Sequence, residues 1–223
     1  MKKILITLCT LHLALCTLWA QISVLRVETN SETAQFQVTD IDSIAFSPNA
    51  DYLYVNYSGD KQRAFVSADV QQLSYGTVSA AENIAIVWNA DGTVNITNPM
   101  SADGVSVTAN GGDVLIESTY PGEVNYNLSG QSTNGSLKLY SDYKYQLTLL
   151  GLTLTNPNGA AINSQSKKKG TIKMQKGYTN TLTDGLTYVN DNENEDEKGC
   201  VFSEGQLIFK GKGTLNVVAR GKH

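Results

Sequence analysis

The stretch LTLLGLTLTNPNGAAI, residues 147–162, carries the reading of the fold. Leu147 and Leu149, then Leu152 and Leu154, alternate with threonine at the two-residue period of a strand. Pro157 and the pair Asn158-Gly159 then close the run with residues suited to a tight corner. Working outward, the same short alternation recurs at 93–96, 105–107, 113–116, 137–139, 171–174, 207–209 and 214–218. All four prolines (Pro48, Pro99, Pro121, Pro157) fall between such runs, where a missing N–H does no harm. No window reads as an amphipathic helix, so the chain is expected to be all-β.

Each run offers only one or two aliphatic residues to an interior, and the turns are rich in Asn, Asp and Gly (91–92, 103–104, 134–135, 158–159, 184–185). Strands this poor must stack on similar neighbours to make a continuous core. Those dipeptides suit the left-handed corners of a solenoid and also the turns of hairpins. Periodicity alone therefore admits both a solenoid and a sandwich.

At the N-terminus, Lys2 and Lys3 precede an apolar run from Ile4 to Leu18, and Ala20 offers a small-residue cleavage site before Gln21. This is the pattern of a secretory signal peptide, and the run is short for a membrane span. Removal of residues 1–20 leaves 203 of the 223 residues, with 15 of the 17 basic residues against 21 acidic ones, a net charge of −6. One Cys (Cys200) and one His (His223) remain. That excludes a disulfide framework, a multi-Cys zinc site, a Ser-His-Asp triad and an HExxH zinc helix. The acidic balance argues against nucleic acid as a partner.

Residues 22–47 differ from the rest. Two alternating runs (22–27 and 35–38) precede DIDSIAF (40–46), a pattern that resembles a short N-terminal segment of many secreted Bacteroidota proteins. The expected organisation is a signal peptide (1–20), an N-terminal antiparallel β segment (21–50), connecting strands (51–80) and a main domain (81–223).

The main domain resembles the bacterial carbohydrate-binding β-helix proteins. The resemblance rests on NYNLSGQSTNGSLKLY (125–140), LTLLGLTLTNPNGAAI (147–162), SKKK (166–169), NTLTDGLTY (180–188), FSEGQLIF (202–209), GKGTL (211–215) and GKH (221–223), in the family's order. It implies a right-handed parallel β-helix of the pectate-lyase kind, bound Ca²⁺, and a polysaccharide partner of plant type or acidic character. The family's rungs continue beyond GKH, so the resemblance also implies that the domain is incomplete at His223.

Candidate ligands for Ca²⁺ are Asp184, at a turn inside NTLTDGLTY, and Asp191 and Glu193 in the acidic run 191–197. Ca²⁺ takes six to eight hard oxygens of these kinds, although an Asx-turn at Asp184 and a solvated loop at 191–197 explain the same residues. Lys167, Lys168 and Lys169 are candidates for uronate carboxylates, or a charged guard on a strand edge. Tyr140, Tyr143 and Tyr145 are candidates for stacking on sugar faces, or for packing. Cys200 is expected to be a small buried hydrophobe.

A pectate-lyase-like enzyme needs a cationic base beside Ca²⁺ held by clustered Asp. The mature chain has only Arg26, Arg63 and Arg220, with no Asp pair at a matching spacing. The expectation is therefore a secreted or cell-surface, non-catalytic carbohydrate-binding protein. A surface adhesin without saccharide affinity is the alternative, and a polysaccharide lyase the second.

Overall fold

The computed structural model describes residues 21–79, 82–189 and 194–222. The expected signal peptide, and Asp191, Glu193 and His223, lie outside the described residues. The alternating runs become strands: β1 (Gln21–Thr29), β2 (Thr33–Gln37), β3 (Ile41–Phe46), β4 (Tyr52–Tyr57), β5 (Lys61–Val66) and β6 (Val70–Ser79). Then come β7 (Asn83–Trp88), β8 (Val94–Thr97), β9 (Val105–Asn110), β10 (Gly112–Ser118), β11 (Val124–Ser132), β12 (Gly135–Ser141) and β13 (Tyr145–Thr155). The last are β14 (Ile162–Ser164), β15 (Gly170–Met174), β16 (Thr179–Thr183), β17 (Val201–Ser203), β18 (Leu207–Gly211) and β19 (Thr214–Val218). Among the described residues there is no α-helix, and no helix is long and apolar enough to cross a membrane.

The sheets are mixed. One ladder runs parallel through β7, β11, β13, β15 and β18, and a second through β10, β12, β14 and β17. The end of β13 continues in parallel to β16 and β19. Antiparallel strands close one edge of each of the first two ladders, β8 against β7 and β9 against β10. Leu137–Leu139 and Leu147–Leu149 therefore do not form a hairpin. They lie in different sheets, each paired in parallel with strands more than twenty residues away.

In-register pairing lines up the few inward aliphatics of each strand. Val114, Leu137, Ile162 and Val201 form one column, and Ile84, Tyr126, Leu147 and Ile172 another. Most of these side chains are fully buried in a single core with Trp88, Leu149, Leu154 and Leu182. Trp88 donates from Nε1 to Gly112 O at 2.8 Å, so it is a core residue. Strand β13 bends between its two pairing partners at Gly151 (φ 81°). At the equivalent bend of β11, a Cβ on Gly130 (φ 89°) would lie 2.0 Å from Trp88 O. Only glycine fits there.

Residues 21–79 form two three-stranded antiparallel sheets, β2-β1-β6 and β3-β4-β5. Leu25, Val27, Ala34 and Phe36 of the first pack on Leu53, Val55 and Phe65 of the second. The antiparallel β1–β2 pairing agrees with the reading of residues 22–47, but β3 pairs with β4 and β1 also pairs with β6. The boundary expected at residue 50 is therefore crossed by strand pairing, because β3 finds its hydrogen-bond partner only beyond it.

Candidate functional site

Strand β12 carries the sequence SLKLYS, and its alternation decides what the sheet shows to the outside. Leu137 and Leu139 turn into the core, so Ser136, Lys138 and Tyr140 face outward. Register places Asp113 beside Ser136, and Leu115 and Asn163 on either side of Lys138. A cleft of about 750 Å³ lies over this face, bounded by the end of β9, the corner at Asn156–Ala160, and Glu195 and Glu197 of the acidic run.

The described part of the acidic run, residues 194–197, folds onto the sheet. Glu195, with only 14% of its side chain exposed, forms an ion pair with Lys138 Nζ at 2.5 Å. It also accepts a hydrogen bond from the Tyr140 hydroxyl at 2.5 Å. Glu197 accepts from the Ala160 N–H at 2.5 Å, and Gln165 Nε2 donates to Asp196 O at 2.8 Å. Ser136 donates to Asp113 Oδ1 at 2.7 Å. Burial opposes the Lys138 charge, but the hydrogen bonds with Glu195 and Tyr140 outweigh it, and its pKa lies above the ordinary lysine value. Burial first, and then the hydrogen bond to Glu195, raise that of Tyr140. The cleft thus offers hydroxyl, amide and carboxylate groups beside an aromatic ring, with Lys138 the one cation among the described residues that line it.

Of the residues singled out in the sequence, Tyr140 lines this cleft. Tyr145 does not reach solvent: it is 1% exposed, and its hydroxyl donates to Ser164 Oγ at 2.6 Å. Tyr143 donates to Gln35 O at 2.9 Å and ties the parallel strands to the N-terminal sheets. Those two tyrosines thus take the packing alternative, Tyr145 in the core and Tyr143 against the N-terminal sheet. Lys167 and Lys169 are exposed on the β14–β15 connection and do not line the cleft. Lys168 is half-buried, and burial together with the nearby charges of Lys61 and Arg63 lowers its pKa.

Asp184 is fully buried. Its carboxylate accepts from the Tyr188 hydroxyl at 2.6 Å and from the backbone N–H groups of Arg220, Gly221 and Lys222. Burial works to raise its pKa, and these hydrogen bonds outweigh it, so the group titrates below the usual carboxylate range. Four donors converging on one carboxylate satisfy an anion and turn their positive ends toward it. The carboxylate thereby anchors residues 220–222, the structural alternative to its expected role as a calcium ligand. Among the described residues, no three His, Cys, Asp or Glu side chains cluster to hold a metal. Cys200 is buried as expected, and burial and the Asp184 charge push its pKa up to about 11.

A family model described as "Carbohydrate-binding domain-containing protein" matches residues 110–223, half of the chain and all of the cleft-forming strands from β12 onward. The chain belongs to this carbohydrate-binding domain family. A relative of the same description from Acetivibrio thermocellus is 30% identical over 147 residues, which is 65% of this chain and 48% of that one. The chain spans about half the length of the curated relative it matches. A similar solved structure is the polysaccharide lyase-like protein from C. thermocellum, a gadolinium derivative. It is 29% identical with a TM-score of 0.53, over 63% of this chain and 54% of that one.

Lys138, Glu195, Asp113 and Asn163 were not singled out in the sequence. Lys138 carried a weak signal, as the one charge within SLKLY. Glu195 lay in a run whose composition gave no reason to prefer one carboxylate over another.

Proposed function

We propose that the protein is a non-catalytic carbohydrate-binding protein that holds a polysaccharide in the cleft over β10, β12 and β14. In this reading the parallel ladders are rungs of a right-handed β-helix of the pectate-lyase kind. The observation that carries the reading is the cleft itself, where Ser136, Lys138, Tyr140 and Asn163 project from a strand array that belongs to a carbohydrate-binding family. Such side chains hydrogen-bond sugar hydroxyls, and a tyrosine ring offers an apolar face to a pyranose.

The preference proposed is for an acidic polysaccharide, and the setting is secreted or at the cell surface. Calcium is proposed as a contributor through the acidic run 191–197. The test is retention on polygalacturonate and on cellulose, each with and without EDTA and high salt, for the wild type and Tyr140→Ala. Acidic preference is expected as stronger retention on polygalacturonate that weakens with salt, because exposed charges are screened beyond about 8–10 Å at 0.1–0.15 M. A loss with EDTA supports calcium. No retention on either glycan by the wild type overturns the reading and leaves a surface adhesin without saccharide affinity.

A lyase is the second reading, favoured by the lyase-like relative. A lysine that removes the proton beside a uronate carboxylate must first lose its own proton. Lys138 is held protonated by Glu195, which opposes that role. Absence of ultraviolet-absorbing unsaturated products from polygalacturonate is the expected result.

A further inference from the structure

The cleft contains one cation among its described lining residues, and a carboxylate of the same chain already occupies it. Glu195 reaches Lys138 at 2.5 Å and Tyr140 at 2.5 Å, and its flanking backbone is fastened by Gln165 to Asp196 O. The Lys138 ammonium also sits 5.8 Å from the centre of the Tyr140 ring. A cation beside an aromatic face, with a phenol hydroxyl aimed at the same point, is the geometry that receives a sugar carrying a carboxylate. The ring takes the sugar face, and the two donors take the acid.

We infer that Glu195 is an internal stand-in for the ligand's carboxylate, and that an acidic saccharide binds by displacing Glu195 from Lys138 and Tyr140. This rests on the carbohydrate-binding reading and deepens it by naming the subsite and its competitor. It also answers an electrostatic difficulty. With Glu195 and Glu197 in place the cleft is acidic and repels a uronate. When residues 194–197 leave together, the three negative charges of Glu195, Asp196 and Glu197 leave with them, and Lys138 and Asp113 are the charged groups left among the described lining residues. The sign of the cleft is thus set by the segment that covers it.

The apparent affinity of a ligand is reduced by the fraction of molecules whose site is open. Glu195→Gln keeps the shape of the side chain but removes its charge, so it raises that fraction. For a partly exposed ion pair, trigalacturonate is expected to bind Glu195→Gln about fivefold more tightly than the wild type. Cellotriose, which has no carboxylate, is expected to gain no more than this from the opened cleft and to be indifferent to the loss of Lys138. Lys138→Met is expected to bring trigalacturonate down to the affinity of cellotriose, in the wild-type and the Glu195→Gln backgrounds. Thermal melts establish that each variant folds, and Lys138→Gln answers the same question if Lys138→Met does not. Equal trigalacturonate binding by the wild type and Glu195→Gln overturns this inference alone. Failure of every variant to bind either saccharide overturns the carbohydrate-binding reading with it.

Discussion

The antiparallel sheets of residues 21–79 and the parallel ladders of residues 83–218 are built from the same kind of short strand, yet they hold together differently. In the first region the pairing is antiparallel and its separations are mixed, as Leu25 lies opposite Phe36 of β2 and opposite Tyr75 of β6, fifty residues away. Its core is small, gathered around the rings of Phe36, Tyr57 and Phe65, whose centroids lie 5.1 and 6.2 Å from that of Phe36. In the second region the pairing is parallel, and Ile162 lies opposite Leu137 twenty-five residues away. The column then extends through several strands. A small core relaxes around a defect, whereas a column transmits it to the strands on both sides.

The largest expected effect follows from that contrast. Leu137→Ala empties the middle of a column and is expected to cost about 2–5 kcal/mol, measured by denaturant unfolding. Leu53→Ala, in the small N-terminal core, is expected at the lower end of the same range, because its surroundings can collapse. A larger loss for Leu53→Ala breaks the comparison.

Asn180 sharpens it. Fully buried, it accepts from the Gly151 and Leu152 N–H groups at 2.9 Å each and donates to Thr214 O at 3.0 Å, so one amide stitches three successive strands. Asn180→Ala leaves buried donors unpaired, and each orphan costs about 1–3 kcal/mol. Faster amide hydrogen exchange at Gly151 and Leu152 is the matching local readout.

Asp184 fastens residues 220–222 to the parallel region by the hydrogen bonds described above. Because its pKa is lowered on folding, its contribution is complete above the unfolded carboxylate value and is lost as pH falls through the folded one. Thermal melts between pH 7 and pH 2.5 are expected to show the wild type losing stability in the acid limb. Asp184→Asn is expected to start less stable and to lack that component. Parallel pH profiles would remove Asp184 from this role.

The smallest effect concerns the joint. Arg63 bridges Glu32 at 2.6 Å and Asp142 at 2.9 Å, one partner in each region, with 28% of its side chain exposed. Arg63→Gln is expected to cost no more than about 1 kcal/mol, with the difference shrinking at high salt. A larger loss that salt leaves unchanged would mean that packing, rather than charge, joins the two regions there.

Much of the strand content was legible because alternation and turn chemistry are local. SLKLY declares which side chains of β12 face inward wherever the strand is placed. The tyrosines show where local reading stops. Tyr140, Tyr143 and Tyr145 look alike within six residues, yet one lines the cleft, one bonds to Gln35 and one is buried against Ser164. Asp184 looked like a ligand at a turn. The donors that make it an anchor instead come from residues 220–222, which no spacing around the turn reveals.

By itself the sequence determined the all-β class, the inward aliphatic of each short strand, the glycine corners and the family resemblance. Each of these depends on a residue and its immediate neighbours. The pairing of Lys138 with Glu195, the fate of each tyrosine and the donors that surround Asp184 were decided only in the tertiary structure. Those outcomes depend on register between strands together with the path of residues 194–197 and 220–222, which lie outside the strands. A charge takes its role from whichever partner that register and that path bring within hydrogen-bond reach.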